Sequence, residues 1–255
     1  MVRRNYKIIE ERFMNLHDEE YITLFCEGDG HVRIDPHGLP KIVFAQKERD
    51  VLDYINSLFS GGHYYQSKAA VWQLTFIGRS CMPLLEIFAK HVVGKKFLER
   101  LNRVLIFVDM PLTIQHPLTL DGFVGFWDAE GSSDSSPKIS LYQKDREILD
   151  LVTSLVGGNV YPQRDVAYQW NLCNKKASLL FSEILSKSHC PSKIERLHKN
   201  FNGPSYHKLH RCDSSHKNTK KMYDKVRQTN QTLIREYMKL HPEVVEALKL
   251  KNGIV

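Results

Sequence analysis

Acidic residues occur twice in one short pattern, an apolar run that ends in acid–small–acid–Gly. The first copy, at residues 25–30, reads FCEGDG, and the second, at residues 126–131, reads FWDAEG. Carboxylate oxygens are the ligands that Mg²⁺ prefers, and the ion is usually held by one or two carboxylates together with water and substrate phosphate. Two such motifs, each at the foot of an apolar helix, can hold paired metal ions between two similar halves of the chain.

The similarity between the two copies continues downstream of the acidic motifs. Residues 41–53, KIVFAQKERDVLD, resemble residues 138–150, KISLYQKDREILD. Another match follows at the same spacing, EIFAK at 86–90 and EILSK at 183–187. Agreement over this length indicates that the chain contains a duplicated unit.

Hydrophobic periodicity predicts a helix, two strands, a helix, two strands and a helix in each unit. The first helix is predicted from Asp18 to Glu27, with Gly28 and Gly30 ending it through the left-handed conformation that glycine tolerates. In the second unit the first hairpin should be shorter, because its motif glycine lies only seven residues before Lys138. We therefore predict a mixed α/β protein with two αββαββα halves.

The 255 residues divide into two halves and a basic tail. We predict a first half at 1–108, a linker at 109–118, a second half at 119–197 and an extension at 198–255. The extension holds 12 of the 36 Lys and Arg residues but only 5 of the 29 Asp and Glu residues, so the net charge of +7 lies there. This imbalance favours an arm that binds a polyanion such as DNA. A solvated extension, or a zinc site built from its histidines and Cys212, is the alternative.

Cysteine usage and the N-terminal sequence bear on the cellular location. The five cysteines are odd in number and show no spacing typical of a disulfide framework. No apolar leader segment and no run of transmembrane length is apparent. We therefore expect a soluble intracellular protein of a reducing compartment, either a prokaryotic cytoplasm or an organelle matrix or stroma.

The two acidic motifs resemble those of the LAGLIDADG homing endonucleases, in the single-chain form that carries both motifs. The stretch FVGFWDAEG at 123–131 is a close match, whereas ITLFCEGDG at 22–30 is looser. The looser copy has Leu24 where the family has a small residue, which leaves open how closely the helices pack there. The resemblance covers roughly residues 15–197. It implies that the motif helices pack at the centre along a pseudo-twofold axis, and that two curved antiparallel sheets lie in the major groove of duplex DNA.

The resemblance also implies a metal site. Asp29 and Glu130, the last acids of the motifs, would be catalytic carboxylates and metal ligands, with the preceding Gly28 and Ala129 included in the metal site. The expected ion is Mg²⁺, which would promote attack by water on phosphorus and stabilise the leaving oxygen. Mn²⁺ should substitute for it, whereas Ca²⁺ should support DNA binding without cleavage. The first acids of the two motifs are expected to be structural: Glu27 and Asp128.

Further catalytic residues are implied at the strand ends and near the end of each unit. Gln46 and Gln143, at the ends of the second strands, would organise the water around the metal. Lys96 and Lys193, which are paired by the constant offset between the copies, would assist the chemistry. Lys95 is an alternative to Lys96.

Alternation along the strands, together with the resemblance, predicts that one face of each sheet contacts DNA. The expected contact residues are Arg33, Lys41, Val43, Lys68, Lys138, Ser140, Tyr142, Arg164 and Gln169. The core face should carry Ile42, Phe44, Ile139 and Leu141.

The function implied by the resemblance is that of a monomeric, Mg²⁺-dependent endonuclease. It would cleave both strands of a long, asymmetric duplex DNA site, leave short 3′ overhangs and support the mobility of an intron or intein. The alternatives are an RNA maturase, which would bind its host intron RNA, a non-catalytic DNA-binding regulator, and an enzyme that nicks one strand only. Neither a membrane nor an obligate protein partner is expected.

Overall fold

The computed structural model describes residues 15–67, 69–133, 138–163 and 167–202. The first half contains α1 (Leu16–Asp29), β1 (Gly30–Ile34), β2 (Pro40–Gln46), α2 (Asp50–Leu58), β3 (His63–Gln66), β4 (Trp72–Ile77), a 3₁₀ turn (Gly78–Cys81), α3 (Met82–His91) and α4 (Lys95–Phe107). The second half contains α5 (Leu120–Glu130), β5 (Gly131–Ser132), β6 (Lys138–Gln143), α6 (Arg146–Val156), β7 (Asn159–Gln163), β8 (Ala167–Cys173), α7 (Asn174–Lys187) and α8 (Pro191–Asn202). Within the described ranges, no helix combines the length and the apolar character needed to cross a membrane.

Each half contains one four-stranded antiparallel sheet, in the order β1-β2-β4-β3 and β5-β6-β8-β7. Alternation fixes the buried face: Ile42 is paired with Phe76, Phe44 is paired with Leu74, and all four side chains are fully buried. Ile139 and Leu141 are buried in the same way in the second sheet. The predicted mixed α/β fold with two αββαββα halves is confirmed, and each half ends in one further helix, α4 or α8.

Helix α1 ends differently from the prediction. It continues through Gly28 to Asp29, and Gly30 then follows with φ −131° and ψ 178°, which is extended backbone. Neither glycine therefore adopts the left-handed conformation that we predicted for them. Gly30 is required for another reason: a Cβ there would lie 2.9 Å from the carbonyl oxygen of Val43 on β2 and 2.6 Å from Cys26 Sγ.

The motif helices α1 and α5 approach each other closely where glycine faces the partner helix. A Cβ on Gly125 would lie 2.1 Å from the carbonyl oxygen of Tyr21, and a Cβ on Gly28 would lie 2.5 Å from Ala129 Cβ. Both distances are far below van der Waals contact, so neither position accepts a side chain without movement of a helix. This contact brings the ends of the two helices together.

Leu24 does not separate the helices. Its side chain is buried and lies against Gly122 of α5, where a Cβ would be 3.1 Å from Leu24 Cδ2. The leucine that departs from the family pattern is therefore accommodated by a glycine on the opposite helix. The interface is close-packed but asymmetric: Gly125 of α5 lies against the backbone of Tyr21, and Gly122 of α5 lies against the side chain of Leu24.

The predicted linker lies between two helices, whereas the predicted end of the second half lies inside a helix. The linker at 109–118 lies in a segment without helix or strand between α4 and α5, and Thr113 of this segment exchanges two hydrogen bonds, of 3.1 and 3.0 Å, with the side chain of Asn102 on α4. The boundary between 197 and 198 falls inside α8, and Phe201 stacks on Phe181 of α7 with ring centroids 4.8 Å apart. Residues 198–202 therefore pack as part of the second half. The rest of the predicted arm, including Cys212, lies outside the described residues.

Candidate active site

Asp29 and Glu130 lie side by side where α1 and α5 end. A Cβ on Gly28 would be 3.1 Å from Glu130 Cγ, and both acidic side chains are partly exposed. Burial raises the pKa of Asp29 to about 6, against the opposing charge of Lys193 and a hydrogen bond from Gln46. Burial and the negative charge of Asp29 together raise the pKa of Glu130 to about 7. The two motifs thus form one centre in which two carboxylates repel each other.

A glutamine is bound to each of these acids in the same way. Gln46 Nε2 donates to Asp29 Oδ2 at 2.8 Å, and Gln143 Nε2 donates to Glu130 Oε1 at 3.2 Å. Each glutamine Oε1 accepts the backbone N–H of the following lysine, at 2.8 Å from Lys47 and 2.7 Å from the second-half residue, Lys144. Because the backbone N–H fixes the amide oxygen, the amide NH₂ group must face the carboxylate. Both glutamines can therefore orient the acids.

The side chain of Lys193 caps the C-terminal end of α5. Its Nζ donates to the carbonyl oxygens of Trp127, Asp128 and Ala129, at 3.2, 2.6 and 2.9 Å. The last carbonyl groups of a helix have no partner inside the helix, and a cation there is favoured by the helix dipole. The lysine therefore sits beside the carboxylate pair and lowers the pKa values of both acids.

Lys96 is not placed like Lys193. Its side chain is 62% exposed, and its Nζ lies 3.3 Å from Asp145 Oδ2. The helices explain the difference: α4 begins at Lys95 and α8 begins at Pro191, so the third helical residue is Phe97 in one and Lys193 in the other. The sequence comparison applied one constant spacing along both copies. That spacing is one residue too long at these helices, so it paired Lys193 with Lys96, whereas the equivalent helical position holds Phe97. Phe97 is buried, so the first half has no lysine at this place.

The first acid of each motif is held by the chain that leads into the last helix of its half. Glu27 accepts hydrogen bonds from the backbone N–H groups of Val93 and Gly94, both at 2.7 Å, and burial raises its pKa to about 8. The partners of Asp128 are Tyr21 OH at 2.5 Å, Ser188 Oγ at 2.6 Å and His189 N at 2.8 Å. The bonds to the chain before α4 and α8 fix each motif helix to the rest of its half, and the bond from Tyr21 joins α1 to α5, in agreement with a structural role.

The donor set decides which metal ion could bind. Among residues 15–67, 69–133, 138–163 and 167–202, no three His, Cys, Asp or Glu residues are grouped as a metal cage made by protein alone. Burial raises the pKa values of both adjacent carboxylates, and the charge of Asp29 raises that of Glu130 further. A hard cation that keeps water and substrate oxygens in its shell would instead stabilise the charged pair. Asp29 and Glu130 fit Mg²⁺ in this respect. The carbonyl oxygen of Ala129 already accepts a hydrogen bond from Lys193.

The structure, but not the sequence, is similar to known proteins. No family model and no curated protein matches the sequence. Among solved structures, the chain is similar to the LAGLIDADG meganuclease I-AabMI bound to uncleaved DNA, with a TM-score of 0.49 and 18% identity, over 67% of this chain and 84% of that one. It is also similar to the LAGLIDADG homing endonuclease I-LtrWI bound to target DNA (TM-score 0.47, 13% identity, 89% and 96% covered). A third similar structure is I-SmaMI bound to an uncleaved DNA target in the presence of calcium ions (TM-score 0.44, 12% identity, 91% and 97% covered).

The residues predicted to contact DNA divide into exposed and buried sets. Arg33 and Tyr142 are exposed, and Lys41 and Lys138 are partly exposed. The prediction of an exposed contact is wrong for three others, which are at most 8% exposed: Val43, Ser140 and Gln169. Lys68 and Arg164 lie outside the described residues.

The three buried residues share one physical cause. They lie on central strands, where residues of both neighbouring strands stand beside each side chain. Val43 lies between His31 and Thr75 in the sheet register, and Ser140 lies opposite Asn171, to which its Oγ donates at 2.8 Å. The Gln169 amide is bonded to Gln163 and to the hydroxyl of Tyr142. Short or fully bonded side chains at such positions support the exposed face instead of forming it.

Two basic residues of this face were missed in the sequence. The pKa of His31 is lowered by burial and by the positive charges of Arg33, Lys41 and Arg100. These four side chains therefore form a basic cluster on the first sheet and α4. His31 could have been identified, since it lies two residues before Arg33 on the same face of β1. Arg100 could not, because the docking of α4 on β1 is a tertiary feature.

The carboxylate pair predicts a pH dependence of stability without metal. The raised pKa values mean that the folded state binds more protons than the unfolded state between about pH 4 and 7. The free energy of unfolding in EDTA should therefore fall as the pH rises through this range, by a few kcal/mol at most.

Urea unfolding at pH 5 and pH 8 tests this dependence in the wild type and in the Asp29→Asn/Glu130→Gln double variant. The wild type should lose more stability between the two pH values than the double variant, which keeps Glu27 and Asp128 as an internal control. Equal losses of unfolding free energy in the two proteins would show that folding does not raise the pKa values of these two carboxylates. Addition of Mg²⁺ at pH 8 should stabilise the wild type and leave the double variant unchanged.

Proposed function

We propose that this chain is a single-chain LAGLIDADG endonuclease that hydrolyses both strands of a duplex DNA site. The observation that carries the proposal is the pair of adjacent carboxylates, Asp29 and Glu130, at the shared end of two close-packed helices that belong to two similar halves. The same two halves supply a matched glutamine to each acid. A structural helix end has no need of two repelling acids with matched amide donors.

The protein side chains have distinct parts in the reaction. Asp29 and Glu130 hold the metal, which as a divalent cation supplies charge stabilisation at phosphorus and activation of water when bound. Gln46 and Gln143 hold the carboxylates in one orientation. Lys193 keeps positive charge beside the pair and favours the approach of a phosphodiester. The exposed basic residues of the sheets, including the cluster around His31, would bind the DNA backbone.

The finer features of the proposal come from the resemblance in the sequence. They are a monomeric enzyme, Mg²⁺ as the working ion, a long asymmetric target, short 3′ overhangs and support of intron or intein mobility. The asymmetry of the target agrees with the different contact faces of the two sheets. Each sheet presents one basic residue at the matched position, Lys41 or Lys138, but the first sheet adds Arg33, whereas the second presents Tyr142 and Gln163.

Selection of cleaved sites from a randomised duplex library in Mg²⁺ tests the function directly. Recovery of one long site supports the proposal, and the same site should be bound without cleavage in Ca²⁺. Binding of a duplex site with no cleavage in Mg²⁺ or Mn²⁺ would identify a regulator. Tight binding of structured intron RNA with no duplex site would identify a maturase.

Lys193 should matter far more than the lysine with which the sequence paired it. Lys193→Met should lower the single-turnover cleavage rate about 100-fold, because it removes the cation beside the carboxylate pair. Lys96→Met should change the rate less than about threefold, because this exposed ion pair lies outside the centre. Rapid-quench measurements on the selected site give both rates. Equal losses in the two variants would contradict the single-lysine site.

A further inference from the structure

Glu48 reaches from the first half into the second half. Its Oε2 accepts a hydrogen bond from the backbone N–H of Ser192 at 3.1 Å, and its Oε1 accepts one from Ser192 Oγ. Ser192 lies in the first turn of α8, where backbone N–H groups lack partners inside the helix and the dipole favours a carboxylate. A residue of the first half thus fixes the start of the last helix of the second half.

The next residue of α8 is Lys193. Its Nζ is bound to three carbonyl groups at the end of α5, directly before Glu130. Because the first turn of a helix sets the direction of the side chains that follow, the position of Ser192 determines where Lys193 reaches. A continuous set of contacts therefore leads from Glu48 through Ser192 and Lys193 to the end of the second motif.

The corresponding contact in the opposite direction is weaker. Asp145, 97 residues after Glu48, is also the second residue after a site glutamine, and it reaches Lys96 on α4 at 3.3 Å. That lysine is 62% exposed, and exposed ion pairs contribute little to stability. Lys96 is the second residue of α4, and the third is Phe97, so no lysine of the candidate active site depends on this contact. Asp145 also caps α6 by accepting a hydrogen bond from the backbone N–H of Glu147 at 3.3 Å, and it serves as the control for loss of the contact between the halves.

We infer that Glu48 is a positioning residue: it holds Lys193 at the carboxylate centre by fixing the first turn of α8 across the interface between the halves. The kinetic consequence rests on the proposed function, whereas the position of Lys193 does not. Loss of Glu48 frees the first turn of α8 and withdraws Lys193 from the α5 carbonyl groups.

Lysine acylation followed by mass spectrometry tests the position without any need for cleavage. The rate of Lys193 acylation should rise about tenfold in Glu48→Ala, because the amine spends more time in solvent. It should rise less in Glu48→Gln, which keeps an acceptor for Ser192, and should stay at the wild-type level in Asp145→Ala. An unchanged Lys193 rate in both Glu48 variants would overturn the inference.

A double-mutant cycle tests the effect on chemistry. Glu48→Ala should lower the single-turnover cleavage rate about tenfold in the wild-type background, and should have no further effect in the Lys193→Met background. The dissociation constant for the target in Ca²⁺ should not change. A loss that persists in the Lys193→Met background would show that Glu48 acts by another route and would overturn the inference. A wild-type protein that cuts no duplex would refute the proposed function, and the acylation result would still decide the role of Glu48.

Discussion

We expect Asp29→Asn to lower the rate of double-strand cleavage by a factor on the order of 10³ or more, and Glu130→Gln to lower it by a similar factor. Each substitution removes one of the two negative charges that hold the divalent cation, while the amide keeps the volume and polarity of the side chain. Affinity for the target in Ca²⁺ should fall far less than the cleavage rate, since the sheet faces remain intact. Single-turnover assays with each DNA strand labelled separately measure the loss and show which strand each acid serves.

Asp53→Asn provides the matched control for these variants. Asp53 is an exposed carboxylate in the first turn of α2 that is paired with Arg49 at 3.1 Å and accepts a hydrogen bond from Tyr64 OH at 2.6 Å. Its loss should leave the cleavage rate within about twofold of the wild type, as expected for a surface charge. Asp29→Asn protein that still cuts both strands at a rate near that of wild type would exclude the carboxylate pair as the active site.

Gly125→Ala should be the most destabilising methyl addition in the helix interface. The new Cβ would lie 2.1 Å from the backbone oxygen of Tyr21, which cannot move without the helix. Separation of α1 from α5 should cost about 3 kcal/mol, at the upper end for overpacking, and should lower the melting temperature by roughly 6–12 °C.

Gly122→Ala on the same helix is the internal comparison. There the added Cβ meets the flexible end of Leu24 at 3.1 Å, and alanine favours helix formation over glycine by up to about 1 kcal/mol. The net change in unfolding free energy should therefore lie within about 1 kcal/mol of zero. Urea denaturation of both variants gives the two values, and similar costs at the two positions would argue against backbone contact between the motif helices.

The sequence was sufficient for those features that both copies repeat. Periodicity assigned the helices and strands, and two matched motifs identified Asp29 and Glu130 as a pair. Gln46 and Gln143 were also accessible, because each ends a strand whose start and end are marked in both copies. The structure places each glutamine on the acid of its own half.

The sequence did not reveal features that depend on how the helices and strands dock or on a small change in loop length. The helices that start at Lys95 and Pro191 are spaced one residue closer together than the rest of the two copies. No local pattern around Lys96 indicates this change. Burial of Val43 depends on the strands on either side of β2, and strand order is not encoded in the alternation of one strand. Glu48 and Ser192 are 144 residues apart, so only the contact between the halves relates them.

The unlike packing of the two motif helices has a consequence for whether the copies are interchangeable. Gly125 of α5 meets the backbone of Tyr21, and Gly122 of α5 meets the side chain of Leu24, so α5 supplies the glycine at both of these levels. In the match between the two motifs Leu24 corresponds to Gly125, so two first copies brought together would place a leucine against the backbone of Tyr21. The two motif helices are therefore unlike complements at these levels, and neither copy can take the place of the other.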